Sequence, residues 1–251
     1  MWRALAILTL LTGCSMEGPA EKAEALSLAR QAARAGDHAE AARAYRRVTE
    51  VDAGSVEAWS GLARAELRSG VDARESARRL LDLDDSVDAL ELLGHALLRA
   101  GDAEGAAARL ERAYARDPRR HRLCFPLARA LERAGRGTPL HYQRCADRGA
   151  LEAASLLAAT RLSLDGLGDD PVPHRVSMTV DRVRPDLDRA QAAAHTAAER
   201  SAVAALRARV ERLLRRAGGY VSLEDVRAQA AALEADAPSC APTGPRTPSG
   251  P

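Results

Sequence analysis

Aromatic residues make up only 3% of the 251-residue chain, Phe125 is its single phenylalanine and Lys22 its single lysine. With so few rings and an apolar content drawn mostly from Ala and Leu, the composition disfavours a sheet-built core and favours closely packed helices. The formal net charge is +2, so bulk charge offers no general affinity for nucleic acid. Positive charge is carried almost wholly by Arg, which follows from codon usage first and only weakly from a preference for carboxylate or phosphate partners. His38, His95, His121, His141, His174 and His195 show no metal-ligand spacing, and neither His-Glu-x-x-His nor paired Cys-x-x-Cys occurs. A phosphate-cradling glycine loop and a Gly-x-Ser-x-Gly elbow are missing as well. The expectation is a protein without catalytic residues, metal or cofactor, whose work is recognition.

What is present is a repeated turn. Arg34-Ala35-Gly36-Asp37 recurs as Arg68-Ser69-Gly70 followed by Val71-Asp72, then as Arg99-Ala100-Gly101-Asp102 and Arg133-Ala134-Gly135-Arg136, spacing the marker glycines 34, 31 and 34 residues apart. A period of this length marks stacked helical hairpins. Arg suits the negative end of one helix, Gly its left-handed closing residue, and Asp37 or Asp102 the cap of the next. Ala25, Leu28, Ala29 and Ala32 line one face up to Gly36, and Ala41, Ala42, Tyr45 and Val48 line the returning helix. The second hairpin runs through Trp59, Leu62 and Ala63 and returns through Ala77, Leu80 and Leu81. The third has Leu90, Leu93, Gly94 and Leu97, then Ala106, Leu110 and Ala113, and stops at Asp117-Pro118.

The residues Trp59-x-x-Leu62-Ala63, Leu90-x-x-Leu93-Gly94-x-x-Leu97, Ala41, Ala106 and Asp117-Pro118 resemble the tetratricopeptide repeat (TPR) family. That resemblance implies an all-α, right-handed solenoid in which small residues let paired helices approach and large ones fill the gap to the next hairpin. Repeat two departs from it, being three residues short, with Leu83-Asp84-Asp85-Ser86 where a proline is common. In the fourth unit Thr138 caps and Pro139 opens a helix, and Tyr142 to Gly149, continuing with Ala153 and Leu157, resembles the Sel-type variant of these repeats. A helix from Leu151 to about Ser163 would cap the stack.

The chain starts with Arg3 and the apolar run Ala4 to Leu11, which reads as an export signal too short to remain as a membrane span. Its end, Leu11-Thr12-Gly13-Cys14, resembles the lipobox of bacterial lipoproteins, which implies cleavage before Cys14 and acylation there, palmitate included; an ordinary signal with a stray cysteine is the plainer account. Several acyl chains would hold the protein on a bilayer. Ser15, rather than Asp, after Cys14 points to the outer membrane on that resemblance, with the protein facing the periplasm.

The organisation expected is an export signal over 1–13, a tether over 14–20, helical repeats over 21–164, a linker over 165–175, a helical C-terminal region over 176–237 and a tail over 238–251 that is disordered by composition. Val176, Met178 and Val180 alternate with polar residues, which permits a short strand. Pro185 then opens an Ala-rich helix to about Arg216, and Ser222-Leu223-Glu224-Asp225 resembles a capping box for a closing helix to about Ala235.

Candidate functional residues lie on the first helix of each repeat, which in TPR proteins lines a peptide-binding groove. Arg30, Arg64, His95 and Arg129 share one register position and Arg34, Arg68, Arg99 and Arg133 another, four residues on and so on the same face. Two basic rows would suit an acidic segment or a C-terminal carboxylate of another envelope protein. Against this, Arg in a last turn complements the helix dipole, and Glu57, Asp88 and Glu91 stand near enough to neutralise the first row. Phe125 either anchors a partner in the groove or packs on the next hairpin. Cys124 and Cys145 sit on two helices of one hairpin; export would permit a disulfide, and Sel-type proteins bridge similarly placed pairs, but simple register counting puts Cys145 nearer Ala128, which leaves buried thiols open. Cys240 is left over. Arg207, Arg209, Arg212, Arg215 and Arg216 form either a solvated face or a contact with anionic lipid or cell-wall polymer.

Within the lipoprotein resemblance the chain looks like the small repeat lipoproteins that assemble outer-membrane machines, the pilotins of secretin and type IV pilus biogenesis among them. An envelope enzyme or cell-wall-modifying factor with its site in residues 174–236 is the alternative, and a passive structural lipoprotein a third.

Overall fold

The computed structural model describes residues 17–169 and 171–218. The expected export signal and lipobox, the expected closing helix over 222–235 and the expected tail lie outside them. The described residues form eleven α-helices and a short 3-10 turn, with no strand. They divide into two compact units, one ending at Leu151 and one beginning at Glu152.

The first unit holds α1 (Glu17–Ala35), α2 (His38–Val51), α3 (Val56–Ser69), α4 (Arg74–Leu83), α5 (Val87–Ala100), α6 (Ala103–Arg116), a 3-10 turn (His121–Leu123), α7 (Cys124–Arg133) and α8 (Pro139–Asp147). Each helix packs on its sequence neighbours, so four hairpins stack in chain order as a TPR-like α-solenoid. The turn chemistry is the one the tetrad implies. Gly36, Gly70, Gly101 and Gly135 all have left-handed φ, between 72° and 88°. The Asp37 carboxylate accepts the Glu40 amide at 2.9 Å, and the Asp102 carboxylate accepts the Gly105 amide at 2.8 Å. Ser55 and Ser86 cap α3 and α5 in the same way.

Small residues do place the helices close together. Ala29, Ala41, Ala44, Ala58 and Ala63 are fully buried, and the core continues through Leu90, Leu93, Ala106, Leu110 and Ala113. Leu28 is the exception: it is 40% exposed, and Leu26 packs on the core in its stead. The shortfall of repeat two falls on α4, which has 10 residues against 14 in α2, α3, α5 and α6 and no side-chain cap at its start. A buried polar joint spans the shortened region. The side chain of Glu66 on α3 is only 7% exposed, and its carboxylate accepts from Ser76 Oγ of α4 at 2.6 Å and from Arg46 Nη2 of α2 at 2.8 Å. Because removing one member of such a joint strands the other polar groups, Glu66→Ala should cost about 2 kcal/mol and Glu66→Gln about half that, read by urea denaturation. Equal small losses for both would show that the joint is not holding α4.

The second unit holds α9 (Glu152–Asp165), α10 (Pro173–Ala193) and α11 (Ala197–Arg216). The helix expected to cap the repeat stack is α9, and it packs on α10 and α11. No strand forms over 176–180. Val176, Val180, Val183, Leu187 and Ala190 are buried along α10 at helical spacing, whereas Met178 is 40% exposed and Ser177 is buried, which breaks the apparent alternation. Pro185 sits inside α10 rather than opening a helix. The new helix starts instead at Thr196, whose hydroxyl accepts the Glu199 amide at 3.1 Å while the Glu199 carboxylate accepts the Thr196 amide at 2.9 Å. This is the reciprocal capping box that Thr196-Ala197-Ala198-Glu199 spells out. The Arg cluster of α11 is a charged surface in which Arg207 pairs with Asp188 and Arg209 with Asp165, both at 2.7 Å.

Candidate functional site

The first helices α1, α3, α5 and α7 bring the two expected rows of basic side chains onto the first unit, but the rows are chemically uneven. In the first row Arg30 is spent on the next repeat: Nε and Nη2 donate to the two oxygens of Glu57, both at 2.7 Å. The bond holds Glu57 below the usual carboxylate range and Arg30 above its ordinary value. Arg64 and Arg129 are exposed and make no ion pair among the described residues. His95 is half-buried, and burial lowers its pKa, with Glu91 pulling the other way and Arg122 and Arg129 adding to the fall. It therefore stands in the row as a neutral imidazole at neutral pH.

The second row does two things. Arg99 donates to the Leu67 carbonyl, and Arg133 donates to the Leu98 carbonyl at 2.9 Å. Leu67 and Leu98 lie in the last turns of α3 and α5, where carbonyls have no partner within their own helix. Each Arg thus closes the preceding repeat's first helix instead of waiting for a ligand. Arg34 and Arg68 are exposed and make no such bond among the described residues.

Between α3 and α5 lies a cleft of about 600 Å³. One side presents Arg64, Leu67 and Arg68; the other presents Asp88, Glu91, Leu92 and His95. Sequence reasoning did not find Arg120 and Arg122, which complete the lining. They leave the segment after Asp117-Pro118 and reach back to α5, Arg120 donating to Asp88 at 2.7 Å and Arg122 donating to Asp88 at 3.0 Å and to Glu91 at 3.0 and 3.1 Å. The signal was present in the repeat register, where Glu57, Asp88 and Arg122 occupy one equivalent position and the sign of the charge reverses at the last. The phenol of Tyr45 on α2 is raised by burial and by Glu57, against the opposing charges of Arg30, Arg64 and Arg34, so its tip lies within their field.

Phe125 packs within its own hairpin. Its ring stands edge-to-face on Tyr142 of α8, with centroids 5.6 Å apart, and the Tyr142 hydroxyl donates to Glu132 at 2.6 Å. Cys124 and Cys145 are bridged, with Cα atoms 5.4 Å apart. Simple register counting along the hairpin does not reach this pairing, and the turn between the helices runs close against α7 at Gly137, where an added Cβ would lie 2.4 Å from the Glu132 Cα.

Among the described residues no group of three or more His, Cys, Asp or Glu side chains could hold a metal ion, and no helix is long and apolar enough to cross a membrane. Solved structures share the fold: MamA at 19% identity and a TM-score of 0.58, covering 70% of this chain and 92% of that one; YrrB, described as a TPR protein with an unusual peptide-binding site, at 14% and 0.56, covering 76% and 95%; and Pseudomonas aeruginosa pilF at 18% and 0.55, covering 86% and 99%. No curated protein matches the sequence. Residues 20–161 match the family described as "Bacterial transcriptional activator domain", and with that match spanning the helical repeats the chain belongs to this family.

Proposed function

We propose that this chain is a lipid-anchored interaction scaffold of the bacterial envelope that holds a segment of another protein against its first helices and assists assembly of an outer-membrane machine in the manner of pilotins. Recognition rather than catalysis is its work. The observation that carries the binding part is the cleft between α3 and α5, which sets Arg64 and Arg68, without an ion pair among the described residues, beside Leu67 and Leu92. The peptide-binding site named for YrrB, on the same fold, supports reading this face as a place for a peptide. The anchor rests on Leu11-Thr12-Gly13-Cys14 at the end of a short apolar run. The family match favours a second reading, in which the repeats serve a transcriptional regulator inside the cell.

Cys14 separates the two. Expressed in a bacterium with a lipoprotein pathway, the wild-type chain should be labelled by a palmitate analogue and sediment with outer membranes, while Cys14→Ser should lose the label and most of the sedimenting fraction. Unlabelled wild-type protein in the cytosol would favour the regulator.

A further inference from the structure

An arginine on the first helix of one repeat pairs with an acid at the start of the next at one boundary of the groove and not at the boundary that follows. Arg30 on α1 bonds Glu57 at the start of α3. One repeat on, Arg64 on α3 stands in the same relation to Asp88 at the start of α5. Here the pair does not form, because Asp88 is held by Arg120 and Arg122, and Glu91 beside it by Arg122. Two carboxylates and two guanidiniums neutralise each other on the α5 side of the cleft. On the α3 side Arg64 and Arg68 have no ion pair among the described residues, and nearby His95 adds no charge. Two cations one helical turn apart are left facing the cleft, with Leu67 between them and the edge of Leu92 on the opposite wall as its apolar lining.

We infer that this cleft receives an extended acidic segment of a protein partner, with carboxylates on alternate residues meeting Arg64 and Arg68 and an apolar side chain two positions further on covering Leu67 and Leu92. The spacing agrees: residues four apart on a helix rise about 6 Å, and alternate residues of an extended chain, on one face, are separated by about 6.6 Å. The charge balance selects the class of ligand. With Asp88 and Glu91 already paired, only the charges of Arg64 and Arg68 are left over in the cleft, so a segment with two spaced carboxylates matches it where a dense polyanion such as a nucleic-acid backbone brings more charge than it can balance. The assignment also sets the register: Arg30, Arg99 and Arg133 are engaged, and α3 alone of the first helices carries both row positions as arginines without a bond among the described residues, so the partner is centred on the boundary between the second and third hairpins. It rests on the interaction-scaffold reading and narrows it to one place.

The test uses fluorescence anisotropy at low salt with the full chain and a labelled peptide, Gly-Glu-Ala-Glu-Ala-Leu-Gly, capped at both ends. Binding should weaken about tenfold when both Glu residues of the peptide are Gln, and by a similar factor in Arg64→Gln/Arg68→Gln, while Arg30→Gln changes it less than about twofold. Equal binding of the Gln peptide, indifference to Arg64 and Arg68, an equal loss in Arg30→Gln, or preferential binding of single-stranded DNA or anionic phosphatidylglycerol vesicles would overturn the assignment. A parallel capture of envelope proteins distinguishes the two levels. Capture by wild type that survives Arg64→Gln/Arg68→Gln sinks this register and leaves the scaffold standing, whereas no capture by wild type sinks both.

Discussion

Gly137→Ala should destabilise the first unit by about 3 kcal/mol, with the loss concentrated in the hairpin of α7 and α8. An added Cβ at this position meets backbone, lying 2.4 Å from the Glu132 Cα and 2.6 Å from its nitrogen. No side-chain rotation relieves such a contact, so the turn itself must open, and overpacking of this kind costs about 1–3 kcal/mol or more. Opening it also draws α8 away from α7, lengthening the 2.6 Å bond between Tyr142 and Glu132 and disturbing the edge-to-face contact of Phe125. Gly61 offers a milder case: its Cβ would come within 2.3 Å of the Tyr45 ring, but that ring end belongs to a side chain that can shift. Gly135 is the control. It has left-handed φ and nothing within 4 Å of an added Cβ, so Gly135→Ala should cost only about 1 kcal/mol, the conformational term alone. Urea denaturation of both variants decides the matter, since similar losses would mean that Gly137 is present for flexibility and not for close approach.

The repeat architecture was legible because it is written redundantly. Four copies of one turn, each with a residue type suited to stopping or starting a helix, agree with the apolar spacing between them, and Gly70, Asp37 and Asp102 do locally what their types imply. The C-terminal unit was harder to read because two weak cues competed. Val176, Met178 and Val180 satisfy a period of two over a few residues, but the longer series through Leu187 and Ala190 satisfies the helical period, and burial over five positions outweighs alternation over three. Pro185 lies inside α10, where the buried face formed by Val183 and Leu187 on either side of it outweighs the one helical hydrogen bond a proline removes.

At the groove the repeat register places the two basic rows on the first helices but leaves the electrostatic picture incomplete. Equivalent register positions identified Arg30, Arg64, Arg99 and Arg133, yet whether a charge is available depends on what faces it, and those partners come from segments 27 to 35 residues away. Arg120 and Arg122 lie in a connecting segment that periodicity does not describe. They decide which carboxylates are consumed, and hence which arginines are left over.

Loss of the Cys124–Cys145 bridge should cost about 3 kcal/mol in the first unit, the amount expected when a loop closed across 21 residues is released in the unfolded chain. The native contacts around it are not large enough to compensate: α7 has only 10 residues and α8 only 9, and little besides Tyr142, Cys145 and Ala146 of α8 is buried. Cys124 is also the first residue of α7, directly after the 3-10 turn that carries Arg122. The bridge therefore fixes the point from which that arginine reaches Glu91. Denaturation with and without a thiol reductant, compared with Cys124→Ala/Cys145→Ala, should show the wild type falling on reduction to the stability of the double variant, while the variant itself is unaffected by reductant. Alkylation before and after reduction provides the independent check, because both thiols should be unreactive until the bridge is opened. Labelling of Cys124 in the unreduced native protein, or an unchanged denaturation midpoint, would mean that the fourth hairpin is held by packing alone and that the position of Arg122 does not depend on the bridge.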